Sequence, residues 1–325
     1  MSRISRRPWG AALLLAVALA GPTTMVPPAD ALESVDAAPA IAVPGDSAPG
    51  AFQAAATSTK KKKTTTRKRR RTRRAPPPGG VYARNALVMD AQTGEVLYAK
   101  NADRVVPIAS LSKMMTAMVF IEQKPDFDRM VEITRAELNG GGHTRLRRGE
   151  MVRLGDLLHM SLMCSDNVAT RVLVRESGLP FDEFIGRMNR HSVELGLAHT
   201  RFAESTGLDE RNVSNAEDCA KMLRAAAAQP VIQGIMTKRL YSFRSATRPH
   251  SLVNTNRLLV YGRYDVLGGK TGYISESGYC FVTWVRTQGR ELVAVVLGAP
   301  TAATRFADVV RLVQRTTAPT FAPSE

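Results

Sequence analysis

Ser110 and Lys113 stand three positions apart in Ser110-Leu111-Ser112-Lys113, a spacing that puts a hydroxyl and an amine on one side of a helix. Cleavage of an amide by serine needs a nucleophile, a base within hydrogen-bond reach, and donors aimed at the developing oxyanion. This pair supplies the first two. Pro107 favours an extended approach at Val106 and an abrupt turn into the helix. Ser110 is therefore expected in the first helical turn, where free N–H groups and the helix dipole favour negative charge on oxygen. Taken alone, the same pattern describes an N-capping serine followed by an exposed lysine.

Ser165-Asp166-Asn167 is a second candidate. If the backbone leaves helical geometry there, the Ser165 hydroxyl and the Asn167 amide point into one cleft. The hydroxyl would relay a proton to a leaving amine and the amide would hold a substrate carbonyl; the alternative is an ordinary turn or cap. The third candidate is Lys270-Thr271-Gly272, within Gly268-Gly269-Lys270-Thr271-Gly272-Tyr273. It reads as the opening of a strand, with glycines where another backbone must approach closely. Lys270 and Thr271 suit a carboxylate, and the strand itself can pair with an extended peptide. A phosphate-binding loop shares Gly-Lys-Thr, but its other glycine and its strand-loop-helix context are missing.

Apolar periodicity supplies the elements that carry these groups. Residues 85–90 and 95–100 read as strands around the turn Ala91-Gln92-Thr93-Gly94. Met114, Met115, Met118, Val119 and Ile121 form the apolar face of a helix over 110–123. Residues 155–175 read as helix in pieces, broken at Ser165-Asp166-Asn167, with further helices over 181–195 and 216–228. A hairpin over 278–286 and 291–298 turns at Gln288-Gly289, and a final helix over 302–314 shows Phe306, Val309, Val310 and Val313 on one side. Strands at both ends with helices between them predict an α+β domain, with one antiparallel sheet built from both ends.

The first quarter of the 325 residues has a different character. Arg3, Arg6 and Arg7 precede an apolar run from Ala11 to Ala20, and Ala29-Asp30-Ala31 offers a small-residue cleavage site. The run is far shorter than the roughly 20 residues a bilayer span needs, so residues 1–31 read as a signal peptide and the chain as exported to the periplasm or cell envelope. Residues 32–80 lack apolar periodicity and read as a disordered, basic and proline-rich linker, leaving 81–325 as the catalytic domain. Eleven of the basic residues crowd into 60–74, so the net charge of +16 says little about the folded surface. That tract fits either a weak contact with anionic envelope polymers or lipids, or a solvating spacer. Without interleaved aromatics, and on an exported chain, it does not fit nucleic acid. Cys164, Cys219 and Cys280 show no metal-ligand spacing and read as unpaired thiols acting as small hydrophobes.

Each motif is common alone, but Ser-x-x-Lys, Ser-Asp-Asn and Lys-Thr-Gly in this order are the signature of penicillin-binding proteins and class A β-lactamases. Residues 82–316 resemble the low-molecular-mass penicillin-binding proteins, the D-alanyl-D-alanine peptidases. The resemblance runs through Pro-Ile-Ala-Ser-Leu-Ser-Lys (107–113, with Ser112 where threonine is usual), Ser-Thr-Gly-Leu (205–208) and Gly-Gly-Lys-Thr-Gly-Tyr (268–273). It implies the β-lactamase/DD-peptidase-like fold and an acyl-enzyme on Ser110, with Lys113 as base, kept partly neutral by the charge of Lys270, and Ser165 as proton shuttle. Asn167 would hold the acyl side, Lys270 and Thr271 a carboxylate, and the backbone N–H groups of Ser110 and Tyr273, beside Gly272, the oxyanion.

No metal or cofactor is implied; the partners are peptidoglycan peptides, with β-lactams as covalent inhibitors. Only about 50 residues follow Lys-Thr-Gly, which resembles the endopeptidases that cut cross-links more than the carboxypeptidases that trim terminal D-Ala. A β-lactamase would need a base for its deacylating water, and no Glu-x-x-Leu-Asn-like segment stands between Ser165 and Lys270. A non-catalytic peptidoglycan-binding protein is the reading from outside enzymology.

Overall fold

Alternation along the strands decides the architecture. β1 (Asn85–Asp90) is buried along its whole length, because Leu87 and Met89 face one apolar cluster while Ala86 and Val88 face another. A strand reads this way only when both sheet faces are covered. The computed structural model describes residues 80–317. The signal peptide expected over 1–31, the linker of 32–80 up to its last residue, and the basic tract 60–74 lie outside the described residues.

After β1, β2 (Val96–Lys100) and the short β3 (Val106–Pro107) lead into a 3-10 turn, Ala109–Ser112, and then α1 (Lys113–Glu122). β4 (Met130–Glu132), α2 (Arg135–Leu138) and β5 (Met151–Arg153) precede α3 (Leu154–Met163), α4 (Asn167–Arg175) and α5 (Phe181–Glu194). Next come β6 (Val213–Ser214), α6 (Ala216–Ala227), α7 (Pro230–Met236), a hairpin of β7 (Leu240–Arg244) and β8 (Pro249–Val253), and α8 (Arg257–Val260). β9 (Asp265–Ile274), β10 (Gly278–Thr287), β11 (Arg290–Ala299) and α9 (Ala302–Thr317) complete the domain.

The main sheet runs β2-β1-β11-β10-β9, antiparallel throughout, so the first strands pair with the last as predicted. Phe306, Val309, Leu312 and Val313 of α9 cover one face, while α1 and α6 cover the other. Asp308, buried within the stripe of α9, accepts the backbone N–H groups of Tyr82 and Ala83 at 3.0 and 2.7 Å and so fixes where the domain begins. β9 stands at the edge of the sheet with one strand partner.

Three expectations need correction. The α-helix begins at Lys113, not Ser110, because Ala109 takes a left-handed backbone (φ 50°) and the chain tightens into a 3-10 turn first. Lys270 lies in the middle of β9 rather than at its opening. Gly268 and Gly269 continue the strand, and their missing side chains admit Met236 and Asn256 instead of breaking it. Cys164 is only partly buried, whereas Cys219 and Cys280 are the interior thiols that were expected.

Candidate active site

Local backbone geometry brings the three motifs to one place. α3 ends at Met163 and α4 begins at Asn167, with Ser165 between them in a left-handed conformation (φ 61°). Asp166 caps α4 by accepting the N–H of Ala169 at 2.9 Å, and its other oxygen accepts the Thr144 hydroxyl at 2.7 Å. Ser165 is thereby turned out of the helix line, and its Oγ accepts Lys270 Nζ at 2.7 Å. Lys270 Nζ also donates to the Thr271 carbonyl at 2.9 Å, and Thr271 Oγ1 donates to Thr255 Oγ1 at 2.8 Å.

Lys113 is fully buried and its Nζ has three oxygen neighbours: Ser110 Oγ at 3.0 Å, Asn167 Oδ1 at 2.6 Å and the Thr206 carbonyl at 2.6 Å. Two of these can only accept, since Asn167 Nδ2 is committed to donating to the Gly141 carbonyl at 3.1 Å. A neutral amine has two hydrogens for those two acceptors, which leaves its lone pair facing the Ser110 hydroxyl. Burial lowers the Lys113 pKa to about 7; Glu204 and Asp166 pull it upward, and Arg171 adds to the fall. The predicted cause, the charge of Lys270, is not among the causes of this fall. Lys270 itself is held well below the ordinary lysine range, first by burial and then by the Lys113 cation.

Close packing explains the glycines. A Cβ on Gly272 would stand 2.9 Å from the Ile108 carbonyl and 3.0 Å from the Ser110 nitrogen. One on Gly207 would overlap the Ala109 carbonyl at 2.0 Å. The nucleophile turn is thus clasped between the edge strand β9 and the Ser205–Leu208 loop. The Ser110 nitrogen lies at this junction, and Tyr273, half-exposed and next to Gly272 in β9, stacks on Tyr279 at 4.3 Å between ring centroids. Every predicted site residue therefore lies in this region.

Sequence reasoning missed the residues behind the cleft. The Glu204 carboxylate accepts the Thr206 N–H at 2.6 Å, the Thr206 hydroxyl at 2.7 Å, and the Gly207 N–H. Asn212 Nδ2 donates to Glu204 Oε1 and to Ser112 Oγ, both at 3.1 Å, linking this loop to the nucleophile turn. Arg305 on α9 donates to the Gly272 carbonyl at 3.1 Å from the far side of the strand. An acid two residues before Thr-Gly is the one signal that could have drawn attention to Glu204. Glu150, also buried, accepts Ser245 Oγ at 2.7 Å, His250 Nε2 at 2.7 Å and the Arg248 guanidinium at 3.2 Å, tying the β7–β8 hairpin to the segment before β5.

The comparisons with known proteins agree with this geometry. The chain is 35% identical over 232 residues to the D-alanyl-D-alanine endopeptidase of Pseudomonas aeruginosa, covering 70% of this chain and 75% of that one. It is 30% identical over 237 residues to a D-alanyl-D-alanine carboxypeptidase of Bacillus subtilis, covering 71% and 61%. The crystal structure of the Streptomyces K15 DD-transpeptidase superposes with a TM-score of 0.69 at 26% identity, covering 74% of this chain and 98% of that one. Residues 70–301 match the family model described as D-alanyl-D-alanine carboxypeptidase. With the β-lactamase/DD-peptidase fold around its paired Ser–Lys contacts, the chain belongs to the S11 peptidase family and is a serine DD-peptidase.

Proposed function

We propose that the enzyme is a D-alanyl-D-alanine endopeptidase that opens peptide cross-links of peptidoglycan, using Ser110 as nucleophile. The observation that carries the roles is the contact of a buried, readily deprotonated Lys113 with Ser110 Oγ at 3.0 Å. Lys113 Nζ accepts the Ser110 proton as Oγ bonds to the D-Ala carbonyl carbon. The tetrahedral oxyanion is held by the N–H groups of Ser110 and Tyr273. Its collapse breaks the C–N bond, and the proton taken up by Lys113 passes through the Ser165 hydroxyl, which Lys270 holds at 2.7 Å, to the leaving amine. Water then attacks the ester and returns Ser110 to its hydroxyl form. Asn167 fixes the acyl side, Lys270 and Thr271 bind a substrate carboxylate, and Gly272 lets the edge strand pair with the peptide.

The endopeptidase reading is supported by the higher identity to the endopeptidase and the larger share of it that is covered. Carboxypeptidase action is the second reading, favoured by the description of the matched family. β-Lactams, as mimics of D-Ala-D-Ala, acylate Ser110, and the enzyme works in the cell envelope, where its substrate is. The layout that goes with this is a signal peptide over 1–31, a linker over 32–80 and a catalytic domain over 81–325. A digest offering cross-linked muropeptide dimer and pentapeptide monomer together tests the choice, with Ser110→Ala as control. Conversion of dimer to monomers supports the endopeptidase; release of D-alanine with the dimer intact rejects it.

A further inference from the structure

Two cation-rich segments meet beside Ser165. Residues 139–149 hold Arg145, Arg147 and Arg148, residues 238–264 hold six more Lys and Arg, and neither segment contains Asp or Glu. They touch where Arg145 Nη1 donates to the Ser251 carbonyl of β8 at 2.8 Å. Between them lies a cavity of about 220 Å³, walled by Thr144 and Arg145 on one side, Ser251 and Val253 on the other, and Cys164 and Asp166 at the base. Cys164 and Asp166 flank Ser165 in sequence, so the cavity adjoins the Lys270–Ser165 contact.

Among the described residues, Arg248 is the one cation of these two segments that meets a carboxylate, that of Glu150. Of the rest, only Arg145 lines this cavity, and it stands there without a carboxylate within ion-pair distance among the described residues, a place that an anionic ligand would fill. Arg145 is the best placed of them. Its bond to Ser251 fixes the guanidinium at the cavity wall, and its remaining N–H groups have no protein acceptor among the described residues. A guanidinium held in this way matches the fork of a carboxylate.

We propose that the cleft between the 139–149 loop and the β7–β8 hairpin is a subsite for the free carboxylates of the peptidoglycan stem peptide, with Arg145 as the residue that recognises them. The inference rests on the DD-peptidase reading above and names the part of the substrate that the site engages outside the scissile bond. A stem peptide amidated at these carboxylates, with the one bound by Lys270 and Thr271 left free, would lose this contact and retain every contact at Ser110.

The test uses the full chain and its Arg145→Gln variant on two cross-linked muropeptide dimers that share the free carboxylate bound by Lys270 and Thr271, one with its other carboxylates free and one with them amidated. The expected result is a KM about tenfold higher for the variant on the free dimer, with kcat unchanged and the amidated dimer cut alike by both proteins. Acylation by a fluorescent penicillin should be equal in the two proteins, which controls for folding. Equal loss on both dimers, or loss on neither, overturns the proposal. Arg145-dependent binding of polyphosphate without discrimination between the dimers would also overturn it, by reassigning the cleft to phosphate polymers. If the wild type leaves dimers intact and trims pentapeptide, the cross-link reading alone has failed, and free and amidated pentapeptides carry the same comparison.

Discussion

Gly272 faces Ser110 so closely that a single added carbon would lie 3.0 Å from the Ser110 nitrogen. The edge of β9 and the nucleophile turn are in backbone contact, and the two N–H groups assigned to the oxyanion belong to that junction. Gly272→Ala should push the strand and the turn apart. A shift of this kind costs about 100-fold in rate. The check is the second-order rate of acylation by a fluorescent penicillin, alongside a thermal melt. An unchanged rate would mean that the junction does not set the geometry of attack.

The pH dependence follows from Lys113. A base must be neutral to accept the Ser110 proton, and burial brings the Lys113 pKa to about 7. Acylation should therefore rise as pH increases through about 7 and level off above it. Glu204 raises the proton affinity of Lys113, so Glu204→Gln should move this limb to lower pH. The variant's plateau should also fall, because one of the two oxygens that accept from Thr206 and Gly207 becomes an NH2 donor. A limb that stays in place would show that the Glu204 charge does not reach Lys113.

Ser165 allows backbone and hydroxyl to be separated. Its φ of 61° suits glycine better than any side chain. Ser165→Gly should fold with undiminished thermal stability and still lose proton relay, a loss on the order of 10²- to 10⁴-fold in turnover. Retention of turnover by Ser165→Gly would remove the hydroxyl from the mechanism.

Glu150 links acid sensitivity to the hairpin that walls the cleft. Hydrogen bonds from Arg248, Ser245 and His250 outweigh burial and bring its pKa from 4.5 down to about 2. A depressed carboxylate stabilises the fold fully above its unfolded value and loses that contribution as pH falls through its folded value. Denaturant unfolding should therefore show stability declining between about pH 4.5 and 2. Glu150→Gln should lower stability at pH 7 by roughly 1.5–3 kcal/mol, since Arg248, Ser245 and His250 lose the charged acceptor they share. A variant with wild-type stability at pH 7 would contradict this account.

Patterns that repeat were readable in the sequence, and single contacts were not. β1 and the β10–β11 hairpin follow from short apolar runs bounded by turn residues, and α5, α6 and α9 from amphipathic stripes. The β7–β8 hairpin escaped notice because its buried side, Phe243, His250 and Leu252, mixes a polar residue into two very short strands. The pairings of β3 with β6 and of β4 with β5 span two and three residues, too few to show a period. The motif residues of the site were identifiable by type and order. The pKa of Lys113 was misattributed because burial is a property of the packed surroundings, here the carbonyl of Thr206 and the body of α1, and no spacing encodes it.

The pairing of β1 with β11 also sets a schedule for folding. Leu87 finds its partner in Val295 and Asp90 receives Arg290, so the sheet cannot close until nearly the whole domain has been made. An emerging chain has β1 and β2 alone, and an isolated two-stranded ribbon is marginal in water. Long-range closure of this kind is slow. The nucleophile turn, resting against β9, would be assembled only at the last stage, so an incomplete chain carries Ser110 and Lys113 without the strand that makes them a catalytic pair.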